Sequence, residues 1–585
     1  MMPVLKSPRS LWWLALASLG LYLLLPGIAA GLSQAEPSFA SEIFPWVKSF
    51  SSASLLSLHD SGSHIRASIG FLTLCLALFA VYFFALKQAR HHNDLRSQNI
   101  IFVSGASFLL VQLLAPVLLS TDVFAYALYG RVVSVCYGNP YDLAPLLPAG
   151  DPFLRLFGQD YLPSWYGPLW TWISAGLTRL GGEHVGLTVL LFRLTAIAAA
   201  LLCGRLLLLS LRRHAPDRAA QGLVFLLWNP LFVIETGISG HNDSVMLVFV
   251  LVAVWCHLRG WKTGAVTALL LSALVKFLTG MLIPLYIALV LREAKTGRER
   301  IVFLCRCALV AGLVALGGIT LAKSNSSSPV SQQAIAPDFY ANNFHELIFK
   351  AVRRGLGEDP DSVRSPIYFQ GWWLEAKSKT FLYRQPEGSA ETVAPIKPGD
   401  RVVVMAPQQS ERWIRVYDPD SRGRGVVDAA DFIDAARPAS PDALGVLFET
   451  LTQERPTVQT ANTLLRALLW FLFALFGLLC AWRTNSFEQF LVWAAAALLA
   501  SYFLIVTEIW PWYANWAVAL GALSVHRQPA RLAAILSACV LTLYVTIGFQ
   551  GSEPDWVFAL RSLPAFVLPL TLFAALYYRR TSSRS

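Results

Sequence analysis

The chain has 585 residues, 55% of them hydrophobic and only 14% charged, with 19 Trp and 35 Phe, a balance far from that of an average soluble domain. The formal charge of +11 does not imply nucleic acid, because the basic residues cluster at the ends of apolar runs, as the positive-inside bias requires. Cys75, Cys203, Cys256, Cys480 and Cys539 lie inside apolar runs and Cys305 and Cys307 begin another, so neither a disulfide framework nor a four-ligand zinc site is indicated.

Apolar segments near 11–31, 67–86, 100–119, 186–211, 219–236, 244–258, 264–278, 281–291, 302–321, 461–481, 487–507, 514–525, 531–549 and 559–578 predict about fourteen spans. The first follows Lys6 and Arg9 and contains Trp12 and Trp13, which reads as a retained span rather than a cleaved signal. An even count puts both ends on one side. With that side cytoplasmic, the inner loops collect Lys87, Arg90 and Arg96, then Arg212, Arg213 and Arg218, and later Arg292, Lys295, Arg298 and Arg300.

The same parity puts the 120–185 loop, the 237–243 turn, the 322–460 stretch and the 508–513 turn outside. The inner loops are short and basic and no GxxxxGK[ST] string occurs, so nucleotide chemistry has no evident place there. The expected fold class is mainly α: a polytopic transmembrane helical bundle in the cytoplasmic (inner) membrane, with a small all-β insertion. It divides into a membrane part at 1–321, an extracytoplasmic insertion at 322–460 and a second membrane part at 461–585.

Within the insertion, short alternating segments at Thr380–Tyr383, Arg401–Met405, Trp413–Val416 and Gly425–Val427 are separated by turn signals. With KPGDRVVV, WIRV and GVVDAADF in this order, residues 377–436 resemble a bacterial SH3-like domain. That resemblance implies an envelope peptide or wall polymer as partner; a packing or spacing module is the plain alternative.

Asp122 follows the 100–119 run directly. An acid held at the lip of a membrane is costly unless it is paired or used; the structural alternatives are a cap or a surface acid. Around it stand several short strings: STDVFAYALYGRVVSVCYGNPY (120–141), YGPL (166–169), WNPL (228–231), GHND (240–243), LVK (274–276) and WPWYANW (510–516). Together and in this order they resemble bacterial polyprenyl-phosphate-sugar-dependent mannosyltransferases, membrane glycosyltransferases of the GT-C type similar to the actinobacterial α-mannosyltransferases. The resemblance implies a polyprenyl-phosphate sugar donor, a glycan or glycolipid acceptor, an extracytoplasmic site and an acidic base in an outer loop. Asp122 is the residue at that position.

A phosphate leaving group needs no second carboxyl group as acid, unlike glycoside hydrolysis. One base and some cations suffice, and no metal or other cofactor is expected. Candidate cations for the donor phosphate are Arg131, Arg193 and Lys276, with His241 beside them; the alternative for Arg193, and less so for Lys276, is an internal ion pair with Glu235. Asn242 and Asp243 read either as a helix cap or, with Tyr166, as sugar or acceptor ligands. Glu508, Trp510, Trp512 and Tyr513 read as a sugar-stacking turn or as part of an interfacial aromatic belt. A transporter or flippase for a lipid-linked sugar is the competing class. It places its site near the midplane between repeated halves, whereas the polar strings here gather at one surface and no internal repeat is visible.

Overall fold

The computed structural model describes residues 9–30, 61–115, 119–141, 151–153, 164–322, 369–383, 392–405, 413–418, 423–435, 456–506, 509–547 and 563–582, with a few single positions between 348 and 421. The bundle opens with α1 (Arg9–Ala30), α2 (Ser61–Gln88) and α3 (Leu95–Val111). Two short helices follow, α4 (Asp122–Ser134) and α5 (Pro168–Gly181). Next come α6 (Val185–His214), α7 (Ala219–Leu227), α8 (Pro230–Gly237), α9 (Asp243–Leu258), α10 (Lys262–Val275), α11 (Leu282–Glu293) and α12 (Gly297–Ala322). After the β segment the chain returns as α13 (Pro456–Arg483), α14 (Phe487–Leu504), α15 (Asn515–Leu523), α16 (Gln528–Val540), α17 (Leu543–Ile547) and α18 (Leu568–Ser582).

Among the described residues, 8 helices are long and apolar enough to cross a membrane, or 9 if the bent pair α7 and α8 is one span. The chain is a multi-pass membrane protein. The count is lower than about fourteen because several of the expected spans are short. At about 1.5 Å per residue, α9, α10 and α11 extend roughly 24, 21 and 18 Å, less than the roughly 30 Å hydrocarbon core.

The bend between α7 and α8 measures 50° and has a local cause. Pro230 lacks an N–H and occupies the first turn of α8, and the Asn229 side chain accepts the Leu231 N–H at 3.1 Å, so the second helix restarts at this point. Trp228 anchors the break by donating its indole N–H to the Ile101 carbonyl at 2.9 Å. Elsewhere Asp94 caps α3, accepting the Ser97 N–H at 3.0 Å, and Ser486 caps α14 through the Gln489 N–H. The core is continuous through both halves of the sequence: Leu223, Ile234, Leu247 and Val250 are buried in one cluster with Leu498, Val518 and Leu520.

The β segment forms a seven-stranded antiparallel sheet: β1 (Phe369–Ala376), β2 (Thr380–Tyr383), β3 (Thr392–Ile396), β4 (Arg401–Met405), β5 (Trp413–Asp418), β6 (Gly423–Asp428) and β7 (Phe432–Ala435). The order is β3-β2-β6-β5-β4-β1-β7. Leu374, Leu382, Ile396, Val402, Val404, Val416, Val427 and Phe432 form a core of its own. The expected strands are present, with Trp413 and Gly425 lying in longer ones, and β1, β3 and β7 are additional.

Candidate active site

Asp122 is the first residue of α4, and the helical repeat places Tyr126 one turn on along the same face. Its carboxylate caps nothing. Oδ2 instead receives the Tyr126 hydroxyl at 3.4 Å and the Tyr166 hydroxyl at 3.2 Å, and lies 3.5 Å from His241 Nδ1. Oδ1 has no hydrogen-bond partner among the described residues, and the side chain keeps 23% of its surface open. Tyr166 reaches Asp122 because its neighbour Gly167 abuts the end of α10, donating its N–H to the Val275 carbonyl at 3.1 Å. A side chain on Gly167 would run into the Leu274 carbonyl. The YGPL string is therefore the place where one loop docks on the Lys276 turn.

His241 lies in the tight turn between α8 and α9, where Gly240 adopts φ +66°, a left-handed conformation natural to glycine. The imidazole is buried between two carboxylates. Nδ1 faces Asp122, and Nε2 lies 3.3 Å from Glu235 Oε2, outside hydrogen-bond geometry. Glu235, itself fully buried, accepts the Tyr544 hydroxyl on both oxygens at 2.8 and 2.9 Å. Trp512 covers the face of the imidazole at 3.9 Å and Trp510 stacks on Trp512 at 5.3 Å.

Electrostatics follow from this packing. Burial alone would lower the His241 pKa, but the facing carboxylates of Asp122 and Glu235 raise it to about 9. Burial alone would raise the Asp122 pKa, yet His241, with Lys276 and Tyr166 in support, holds it below the ordinary carboxylate value. Burial, and then the Asp122 charge, push the Tyr126 and Tyr166 phenols well up, so both remain donors to Asp122.

Asp243 starts α9, but Asn242, at the cap position, makes no side-chain cap hydrogen bond. The capping reading therefore does not describe how these side chains are used. Asp243 Oδ1 accepts the Lys276 ammonium at 2.9 Å and the Trp516 indole N–H at 2.5 Å. The ammonium also lies over the rings of Tyr513 and Trp516, at 4.8 and 5.3 Å. The Asn242 amide and Asp243 Oδ2 are buried without a hydrogen-bond partner among the described residues.

The predicted residues thus separate. Asp122, Tyr166, His241, Asp243, Lys276, Trp510, Trp512 and Tyr513 are brought together by these contacts, and Asn242 joins them through its backbone N–H, which donates to the Tyr126 hydroxyl at 3.5 Å. Arg131 and Arg193 have other commitments. Arg131 is buried in an ion pair with Asp151 at 2.6 Å, bonds the Gly182 carbonyl at 2.7 Å and covers the Phe153 ring. Arg193 binds the carbonyls of Gly237 at 2.9 Å, Ala115 at 3.1 Å and Gln112. The expected pairing of Arg193 or Lys276 with Glu235 does not form among the described residues; Arg193 holds helix ends together, Lys276 pairs with Asp243, and Glu235 faces His241. Glu508 lies outside the described residues. Trp516, which belongs with the aromatic turn read from the sequence, joins the site at Asp243 and Lys276, and Tyr126 and Tyr544 join it without having been singled out. No group of three or more His, Cys, Asp or Glu side chains suited to a metal ion occurs among the described residues.

Comparison with known proteins agrees with the resemblance seen in the strings. Residues 24–292 match the family described as Alpha-(1->6)-mannopyranosyltransferase, N-terminal domain. The chain is 29% identical over 161 residues to an alpha-(1->6)-mannopyranosyltransferase of Mycobacterium tuberculosis, covering 26% of each chain. It is 26% identical over 213 residues to alpha-(1->6)-mannopyranosyltransferase B of Corynebacterium glutamicum, covering 35% of this chain and 34% of that one. The A enzyme of the same organism is 24% identical over 172 residues, 29% of this chain and 34% of its own length. The matches therefore span about a quarter to a third of these curated relatives. No solved structure matches.

Proposed function

We propose that this relative of the actinobacterial α-mannosyltransferases is an integral-membrane glycosyltransferase that moves a hexose, mannose in the first instance, from a polyprenyl-phosphate donor to an extracytoplasmic glycan or glycolipid. The observation that carries the reading is the asymmetry of Asp122. Among the described residues, Oδ2 takes the hydroxyls of Tyr126 and Tyr166 and faces His241, while Oδ1 is the oxygen we assign to a substrate. In the reaction the acceptor oxygen attacks the anomeric carbon, and the bond from that carbon to the phosphate oxygen breaks with its electron pair leaving on the phosphate. The hydroxyl proton passes to Asp122 Oδ1. Single displacement inverts the anomeric centre, so a β-linked donor gives an α product.

An ionised base is the form such a step requires, and its depressed pKa keeps Asp122 in that form. Lys276 is the cation suited to the departing phosphate, since a fixed positive charge stabilises the anion as it develops. The unpartnered Asn242 amide and Asp243 Oδ2 suit sugar hydroxyls, and the Trp510–Trp512 face suits a sugar ring. The distribution of basic loops supports an inner-membrane location with this cluster and the β segment outside.

The test is transfer from radiolabelled polyprenyl-phosphate mannose to endogenous lipid acceptors in membranes, comparing the wild type with Asp122→Asn at matched expression. A loss of about a hundredfold or more is expected. Undiminished transfer would remove Asp122 from the chemistry, and a wild type that uses no polyprenyl-phosphate hexose would return the chain to the transporter class.

A further inference from the structure

Glu235 sits where the proposed reaction has no direct use for it. It lies behind His241, fully buried, on the eight-residue helix α8 that begins at the Asn229–Pro230 break. A buried carboxylate is costly unless its partners are arranged around it, and here they are. The Tyr544 hydroxyl bridges both oxygens at 2.8 and 2.9 Å, His241 Nε2 lies 3.3 Å away, and the His241 backbone N–H donates to the Glu235 carbonyl at 3.2 Å. One residue thus grips His241 by backbone and faces it by side chain. The far nitrogen of the same ring faces Asp122.

We propose that Glu235 is a positioning residue for sugar transfer: held by Tyr544, it fixes the orientation and charge of His241 from behind, and His241 in turn fixes Asp122 Oδ2 so that Oδ1 is presented to the acceptor hydroxyl. The proposal rests on the glycosyltransfer reading for its consequence and on the carboxylate–imidazole–carboxylate row for its geometry. Unlike a serine-hydrolase triad, where the imidazole is the base, the ring here lies between two acids and carries charge instead of exchanging it with the substrate.

The groups facing the ring come from several elements. Asp122 and Tyr126 approach from α4, Glu235 from α8 and Trp512 from the turn before α15. Tyr544 of α17 acts through Glu235. Arg193 of α6 backs Gly240, with its guanidinium turned to helix carbonyls. Lys276, paired to Asp243, is the further cation acting on Asp122.

The experiment uses full-length protein in lipid nanodiscs with nitrogen-15-labelled histidine, the His241 signal being assigned by its loss in His241→Gln. The imidazolium midpoint of His241 is expected to fall by about one pH unit or more in Glu235→Gln, as removal of a close opposite charge requires. The alkaline limb of kcat/KM for transfer then moves down with that midpoint, while the donor KM stays within about twofold. Should Glu235→Gln fail to fold, Tyr544→Phe is read in the same way, with a smaller shift in the same direction. An unshifted midpoint in a folded variant overturns the proposal whatever the activity. A shifted midpoint in a protein whose wild type transfers no sugar overturns the glycosyltransfer reading and leaves the Glu235–His241 coupling standing.

Discussion

Trp512 lies almost flat on His241, with ring centroids 3.9 Å apart and planes 23° from parallel. The pair joins residues that are far apart in sequence, and it seals the face of an imidazole whose two nitrogens already face acids. A protonated ring against an indole gains about 0.5–2 kcal/mol, so the aromatic turn at 510–516 supports the charge at the site as well as lining it.

That contact predicts a graded response. Trp512→Leu should reduce transfer by roughly two- to thirtyfold, corresponding to the cation–π range, while Trp512→Phe should keep most of the activity. Initial rates at saturating donor provide the measurement. Equal loss in both variants would show that shape rather than the aromatic face matters.

Lys276 and Asp243 should separate donor binding from chemistry. Lys276→Met removes the cation proposed for the phosphate and should raise the donor KM by roughly ten- to a hundredfold, the range of a charge-assisted hydrogen bond. Lys276→Arg should fall between that variant and wild type, because a planar fork does not reproduce a point charge seated over Tyr513 and Trp516. Donor titrations at fixed acceptor distinguish a KM effect from one on kcat.

The pH profile has a predictable sign on each side. The Asp122 pKa lies below the ordinary value, so kcat/KM should stay flat through weakly acidic pH and decline only below the normal aspartate range. The His241 pKa lies at about 9, so the alkaline limb should appear near that value as the ring loses its charge. The same raised pKa stabilises the fold fully below the ordinary histidine value, and that contribution is lost as pH rises through about 9. Rate profiles and thermal unfolding across this window test both statements; an alkaline limb at the ordinary histidine value would contradict them.

Sidedness can be tested independently of activity. A reporter inserted between β2 and β3 should be active only in the form that requires export. Deleting 377–434 should leave transfer to a small acceptor intact if the sheet is a spacer, whereas loss of transfer to the natural acceptor alone would assign the sheet to acceptor recognition.

Asp122, His241, Asp243 and Lys276 were legible because each interrupts or ends an apolar run, where a charge is conspicuous. Tyr126 carried a signal in its i+4 spacing from Asp122, but it stands among many aromatics. The role of Glu235 was not legible. Its partner Tyr544 is 309 residues away, and the bend at Pro230, rather than any local pattern, turns it toward His241. Arg131 and Arg193 had the right charge in plausible places; what they bind is a carboxylate from a distant loop turn and helix-end carbonyls, set by packing. In the sheet, the strands bounded by clear turn residues were readable. β1 contains FQGWWLEA, without alternation, and β3 includes Pro395, which argues against an interior strand and is accommodated because β3 lies at the sheet edge.

The row from Asp122 through His241 to Glu235 is complete only when Trp512 and Tyr544 arrive from the far end of the polypeptide. A ribosome that has made residues up to Lys276 has made Asp122, His241 and Glu235 without the indole and the phenol that contact them. Newly made N-terminal halves therefore carry an electrostatic debt until the last helices are threaded, and the two halves are bound to one another by charge as well as by shape. Co-expressed fragments cut within the β segment would have a strong reason to find each other.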